Sequence, residues 1–263
     1  MLIAQITDSH VVRAGALISG MVDTGRMLVD CVRTLTGLYP QPDLLVLTGD
    51  LVDGGAPEEY ARLRDLLRPL GMPMLAIPGN HDARDSMRVA FADQAWFADD
   101  AFLHYVVRRG PLRIVALDTV VPGEGRGELC VRRLAWLENT LTAEPAVPTL
   151  VLMHHPPFET GIGFMDALGL TGREAFAEVV ARHPQIRLIL CGHLHRSIQT
   201  TVGGCRVLTG PSTAHQIPLD LRADAPEAFV MEPPGFMLHH WNGREFISHQ
   251  AFTGPFAGPY PFG

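Results

Sequence analysis

The sequence predicts an α/β fold (α+β in its overall mixture), and three observations carry that prediction. Short apolar runs alternate along the chain with segments of helical periodicity. Several of those runs hardly alternate in polarity, as expected for strands buried on both faces. One run after another also ends at an Asp, Asn or His, often just after a glycine. Alternation of this kind implies sheets covered by helices on their outer faces.

The elements follow in order. Leu2 to Thr7 reads as a strand, and Gly15 to Gly25 as a loop. Arg26 to Leu38 is a helix, with Met27, Leu28, Cys31, Val32 and Leu35 at helical spacing, stopped by Tyr39-Pro40-Gln41-Pro42. Asp43 to Thr48 is a strand that ends at Gly49-Asp50. Pro57-Glu58-Glu59 opens a helix to Leu70, because Pro fits the first turn and carboxylates match the dipole. Met74 to Ile77 is the next strand, and a short helix is expected from Asp85 to Asp93. Leu112 to Leu117 reads as a strand, Val131 to Leu141 as a helix, and Thr149 to Met153 as a strand ending at His154. Thr171-Gly172-Arg173-Glu174 has the spacing of a capping box for a helix to His183. Ile186 to Cys191 and Arg206 to Thr209 are strands, and Asn242-Gly243 marks a tight hairpin turn between Met237 and Gln250.

Composition narrows the function classes. With 263 residues, 47% of them hydrophobic, the chain can bury one large core, with or without an appendage. A formal charge of −7 argues against a protein that grips a nucleic-acid polymer through a basic face. No apolar run approaches the length of a membrane span, and Met1 to Thr7 is too short for a signal peptide's apolar region. Cys31, Cys130, Cys191 and Cys205 form no Cys-x-x-Cys pair and read as reduced thiols. The expectation is a soluble cytoplasmic enzyme with a small-molecule substrate and no membrane partner.

The chemistry sits in five stretches. They are Asp8-Ser9-His10, Gly49-Asp50, Gly79-Asn80-His81-Asp82, His154-His155 and Gly192-His193-Leu194-His195. In open α/β sheets ligands bind beyond the carboxyl ends of the strands, where all five lie. A single His after a strand is an ordinary structural residue, whereas five converging ends make a metal site. Imidazole and carboxylate donors without thiolate suit Fe, Mn, Co or Zn better than Ca or Mg.

These five stretches, in this order, resemble the motif set of the calcineurin-like binuclear metallophosphoesterases, from residue 3 to about 215. Within that family the chain looks most like the branch of class III cyclic nucleotide phosphodiesterases and glycerophosphodiesterases. The resemblance implies a four-layer αββα sandwich of two facing mixed sheets. It implies two divalent metal ions, one held by Asp8, His10 and His195, the other by Asn80, His154 and His193, with Asp50 bridging. It implies hydrolysis of small phosphodiesters by a metal-bridging hydroxide, with His81 as proton donor or charge stabiliser. His215 resembles a histidine that lines the substrate site. Residues 1–215 would form the catalytic domain, and 216–263 a cap or dimerisation region carrying a protruding C-terminal hairpin. The branch's use of such an appendage for subunit contact makes a homodimer or higher homo-oligomer the expectation.

Departures from neighbouring branches sharpen the substrate. Gly54 stands where the protein phosphatases carry an Arg, and Asp82 replaces their Glu. A monoester dianion benefits from such an Arg clamp. Asp53 stands where the purple acid phosphatases carry a Tyr. A diester monoanion fits best, and a phosphomonoesterase or a non-catalytic scaffold on the same fold are the alternatives. His155 reads as a turn residue, Asp118 as structural, and Asp82 as a group that orients its turn. Phe164 and Met165 either line the substrate pocket or pack a loop. The loop from Phe158 to Leu170 and the tail after Pro211 are expected to set specificity.

Overall fold

The computed structural model describes residues 1–94, 96–97 and 101–262. In chain order its elements are β1 (Leu2–Ile6), α1 (Thr24–Thr36), β2 (Leu44–Thr48), α2 (Pro57–Leu67), β3 (Met74–Ile77) and α3 (Arg84–Ala90). Then come β4 (Tyr105–Arg109), β5 (Leu112–Ala116), β6 (Gly127–Glu128), α4 (Val131–Ala143), β7 (Thr149–Leu152), α5 (Gly163–Ala167), β8 (Leu170–Thr171) and α6 (Arg173–Arg182). The chain closes with β9 (Ile186–Cys191), β10 (Gln199–Val202), β11 (Cys205–Thr209), β12 (Gly235–Trp241) and β13 (Phe246–Phe252).

Two mixed sheets form the centre. The first has five strands in the order β13-β12-β1-β2-β3, and the second has six in the order β10-β11-β9-β7-β5-β4. Strands β1, β2 and β3 run parallel, as do β5, β7, β9 and β11, while β4, β10, β12 and β13 pair antiparallel with their neighbours. The apolar residues of β1, β2 and β3 join Ile114, Leu150, Leu152, Leu188 and Leu190 of the second sheet in one buried cluster. A second cluster packs Val151, Ile189 and Val207 against Leu137, Leu141 and Phe176 of α4 and α6. Helices α1, α2 and α3 pack side by side and contribute Leu28, Tyr60 and Met87 to the first cluster. This is the expected mixed α/β sandwich.

Gln5 ties the two sheets together at their centre. Its amide donates to Thr48 Oγ1 and to the Cys191 carbonyl, both at 2.9 Å, while its oxygen meets His239 Nε2 at 3.0 Å. A buried amide persists only when its donors and acceptor are satisfied, and here all are.

Two expectations need correction, and several elements were not expected. The hairpin forms, but it does not protrude: β12 pairs antiparallel with β1 from Leu2↔His240 to Gln5↔Met237. The open edge of β1 needs a partner, and the hairpin's Phe236, Met237, Trp241 and Phe246 are buried where an isolated hairpin would expose them. The capping box does not form either. Thr171 belongs to β8, paired with β6, and Gly172 takes the N-cap position in a left-handed conformation, φ 87°. Finally β4, β10 and α5 carry no strong sequence signal. β4 alternates with exposed residues at one sheet edge, β10 at another has no buried residue at all, and α5 spans only five residues.

Candidate metal centre

The parallel strands deliver their turns to one end of the sandwich. β1 leads into Asp8, β2 into Asp50, β3 into Asn80, β7 into His154 and β9 into His193. Asp8, His10, Asp50, His193 and His195 all have positive φ, between 41° and 70°, and Ser19 is the sixth such non-glycine residue described. Left-handed backbone at Asp or His is uncommon and persists where surrounding structure enforces it. Here it turns five donor side chains toward a common point.

The donor atoms fall into two sets. Asn80 Oδ1 lies 3.2 Å from His154 Nε2 and 3.1 Å from His193 Nδ1, and Asp50 Oδ2 is 3.3 Å from His154 Nε2. In the second set His10 Nε2 is 3.1 Å from His195 Nε2 and 3.6 Å from the same Asp50 Oδ2. His195 Nε2 is 3.7 Å from Asp8 Oδ1. Donors about 2.1 Å from an ion stand roughly 3.0–3.4 Å apart around it, so these separations fit coordination shells. Asp50 is the residue common to both sets. Asp8 Oδ2 is fully buried with no protein partner, which is costly for a carboxylate unless a cation faces it. The residues fit a pair of metal ions.

Each imidazole is held by its other nitrogen. His154 Nδ1 is 2.8 Å from the Thr48 carbonyl, His195 Nδ1 2.9 Å from the His215 carbonyl, and His193 Nε2 3.1 Å from the Leu168 carbonyl. His10 Nδ1 meets Asp53 Oδ1 at 3.1 Å. A carbonyl accepts only from N–H, so in these tautomers the lone pair faces the donor sets. His155 is different. Its two nitrogens are taken by Thr119 Oγ1 at 2.8 Å and the Gly125 carbonyl at 3.1 Å, so it has no free lone pair to offer despite its proximity.

Burial and neighbouring charge set the protonation pattern. Burial opposes the Asp50 carboxylate, yet His154 and His10 hold its pKa well below the ordinary value. His154 is raised to about 9, against its own burial, by Asp50 and Asp8. Burial pushes Asp8 up to about 6 and His193 down to about 3, and His195 falls well below its ordinary value for the same reason. Neutral His193 and His195 are ready donors. His154 would have to lose a proton before it could hold a metal, so loading there would compete with protons.

His81 borders these sets. Its backbone N–H donates to Asp50 Oδ1 at 2.9 Å, and its ring Nδ1 lies 2.9 Å from the Asp53 carbonyl. The ring stands edge-on to His10 with centroids 4.6 Å apart and is 40% exposed. The turn beneath is built on Asp82, whose carboxylate accepts from Gly79 N–H (2.9 Å), Leu51 N–H (3.1 Å) and Tyr60 Oη (2.8 Å). That is the orienting role the sequence suggests for Asp82. Asp118 is structural too, accepting both arms of Arg84 at 2.6 and 2.9 Å.

The site opens into a cavity of about 440 Å³. His215 lines it, with its ring 4.7 Å from that of His195 and 5.2 Å from that of Phe229. Phe164 and Met165 line it rather than merely packing a loop, together with Leu168, Ile217 and Phe229. Sequence reasoning did not single out Glu227, Phe229 or Tyr60. The first two lie in a Pro-rich stretch without periodicity, and Tyr60 sits in a helix whose sequence gives no sign of its contact with the 79–83 turn.

Comparison with known proteins gives the same frame. The family model for calcineurin-like phosphoesterases matches residues 1–197. The chain belongs to the calcineurin-like phosphoesterase family. A probable glycerophosphodiester phosphodiesterase from Arcobacter nitrofigilis is 38% identical, covering 100% of this chain and 97% of that protein. A 3',5'-cyclic adenosine monophosphate phosphodiesterase from Pseudomonas aeruginosa is 34% identical over 82% of this phosphoesterase and 77% of its own length. Among solved structures, a dimetal phosphatase from Danio rerio superposes with a TM-score of 0.66 at 16% identity, covering 94% of this chain and 98% of that one. That likeness speaks to the fold.

Proposed function

We propose that this phosphoesterase hydrolyses small phosphodiesters in a metal-dependent reaction. The observation that carries the reading is the pair of donor sets sharing Asp50 at the base of a cavity lined, among the described residues, by no Arg. Two metals can offset the single charge of a diester, whereas a monoester dianion gains from an additional guanidinium clamp. Asp8, His10 and His195 would hold one metal, Asn80, His154 and His193 the other, and Asp50 both. When bound, the pair supplies a nucleophilic hydroxide at neutral pH and charge for the phosphoryl oxygens.

The chain's own residues do the rest. Thr48, Leu168 and His215 fix the imidazole orientations through their carbonyls. His81, held by Asp53, lies where it can donate a proton to the departing alkoxide or stabilise phosphoryl charge. His215 and Phe229 wall the cavity, and Phe164, Met165 and Leu168 give it an apolar side that excludes water from a bound ester. Residues 1–215 then act as the catalytic unit, and the segment after 215 closes the cavity through Ile217, Glu227 and Phe229. Curated relatives bear names of both glycerophosphodiesterases and cyclic nucleotide phosphodiesterases, so the leaving alcohol is the open variable.

A panel of glycerophosphocholine, cyclic AMP, cyclic GMP, a chromogenic diester and the matching monoester tests the reading. Turnover of at least one natural diester, abolished by chelator and exceeding the monoester rate, supports it. Faster turnover of the monoester would favour a phosphomonoesterase, and metal binding without turnover a scaffold.

We extend the proposal to place and assembly. Four free cysteines suit a reducing cytoplasm. Edge strand β13 contains no Asp, Glu, Lys, Arg or Pro, and Ile247 and Phe252 on it and Phe256 and Tyr260 beyond it are exposed, which favours a homodimer through this edge. A monomer mass by light scattering at micromolar concentration would exclude that assembly.

A further inference from the structure

The 21 basic residues are all arginine, and their pairing is uneven. Thirteen form an ion pair with an Asp or Glu among the described residues. Three without such a partner, Arg187, Arg206 and Arg244, line one cavity of about 470 Å³. They come from β9, from β11 and from the turn between β12 and β13, so both sheets contribute. Glu245 is the one carboxylate lining the same space. The carboxyl end of α6, at Val180, Ala181 and His183, also borders it, and its carbonyls partly offset the guanidinium charge. The His183 ring is engaged by Glu138 at 3.0 Å and does not add to the balance.

In a chain of net charge −7, three guanidiniums against one carboxylate is a local reversal of sign. Arg206 is fixed by its bond to the Phe246 carbonyl, which pins one wall of the cavity to the hairpin. Among the described residues no side-chain partner holds Arg187 or Arg244, whose forks remain available to an oxyanion. Guanidinium groups match phosphate oxygens bidentately, and each such bond is charge-assisted. The turn Gly203-Gly204 closes the floor. A Cβ at Gly203 would lie 2.4 Å from the Ala177 carbonyl oxygen, so this turn packs directly on α6. Among the described residues no arginine lines the metal-centre cavity, while this one gathers three.

We propose that Arg187, Arg206 and Arg244 form a second anion site, for an oxyanion of the phosphate class carrying two or more charges. Either inorganic phosphate or a phosphomonoester meets that description. Arg187 is the second residue of β9 and His193 follows its end, about 20 Å away at roughly 3.3 Å per residue, so the site is separate from the metal centre. Its ligand would bridge the second sheet to the hairpin and so tie the two sheets together from the opposite end.

The test is calorimetric titration of inorganic phosphate and of glycerol phosphate at low ionic strength, with chloride as the control for general screening. Three proteins are compared, the wild type, the Arg187→Gln/Arg244→Gln double variant and Asp50→Ala. Both arginines are exposed, and Arg206, which holds the hairpin, is left intact, so the double variant should fold. Phosphate binding should persist in Asp50→Ala and weaken about tenfold or more for each arginine removed, the loss expected for one charge-assisted hydrogen bond. Tighter binding of the ester would assign the site to an organic phosphate, and the reverse to the free ion. Unchanged affinity in the double variant, or binding lost only in Asp50→Ala, would overturn the proposal. The result does not depend on whether the diesterase reading holds.

Discussion

Tyr60→Phe removes one oxygen atom from beneath the turn that carries Asn80 and His81. Tyr60 is completely buried, and its hydroxyl donates to Asp82 Oδ1 at 2.8 Å while accepting from Ala83 N–H at 3.0 Å. The phenyl ring stays, so the substitution creates almost no cavity. A hydrogen bond to a charged group contributes about 1.5–3 kcal/mol, and the stranded, partly buried N–H adds about 1 kcal/mol. The expected loss is therefore about 3 kcal/mol. For a domain of this size about 2–4 °C of melting temperature follows each kcal/mol, giving a fall of about 6–12 °C. Urea unfolding should show a lower midpoint at unchanged slope, since the surface exposed on unfolding is the same. Activity should fall as well, because Asp82 without Tyr60 holds the 79–83 turn only through Gly79 and Leu51. A loss under about 1 kcal/mol, with full activity at matched metal content, would refute the idea that this pair positions the turn.

Further outcomes follow from the site and the core. Chelation should abolish turnover and lower the melting temperature, with Mn or Co restoring both, and Asp50→Ala should cost more activity than loss of any one of the other donors. This is checked by metal analysis alongside rates. His81→Ala should keep its metal yet lose about 10²–10⁴-fold in rate, with a smaller loss on nitrophenyl esters if the residue is a general acid. His239, fully buried against Gln5 and Ser248, has its pKa lowered to about 3 by burial. The unfolded chain therefore takes up this proton first, and the fold loses stability as pH falls from about 6.5 toward 3, by about 1.4 kcal/mol per unit. His239→Gln should flatten that slope in urea titrations at pH 4 to 7, and an unchanged slope would place the acid sensitivity elsewhere.

Much of this was legible in the sequence because two signals coincide. The apolar runs before Asp8, Asp50, Asn80, His154 and His193 mark strands, and the residue after each run marks the strand end. Chemistry and topology are thus written at the same positions. The hairpin's strands were legible through Asn242-Gly243, but its docking on β1 was not, since a strand's own pattern does not name its neighbour. The apolar wall was half legible. Phe164 and Met165 were readable as either pocket lining or loop packing, whereas Phe229 reaches the cavity only through the irregular chain between β11 and β12. The orienting carbonyls of Thr48, Leu168 and His215 leave no trace in sequence, because any residue supplies a carbonyl.

The glycines of the motifs show why such a site demands its neighbours as well as its donors. A Cβ at Gly49 would lie 2.4 Å from His154 Nδ1, one at Gly79 2.3 Å from Asp50 Oδ1, and one at Gly192 2.2 Å from Thr7 Oγ1. Each contact crosses from one strand end to another, so the bare glycine backbone of one turn lies directly against a side chain of the next. Gly49 also sits at φ 92°, where a side chain would be strained. The five left-handed Asp and His residues add roughly 1 kcal/mol each at the low end of such strain, about 5 kcal/mol together. That is a large share of a typical folding free energy of about 5–15 kcal/mol. Backbone bonds between the turns offset part of it, among them Asp8 N–H to the Gly49 carbonyl (3.1 Å) and Gly192 N–H to the His154 carbonyl (3.0 Å). The arrangement therefore costs stability in the strands' own terms, and the donor sets it brings together are what that cost secures.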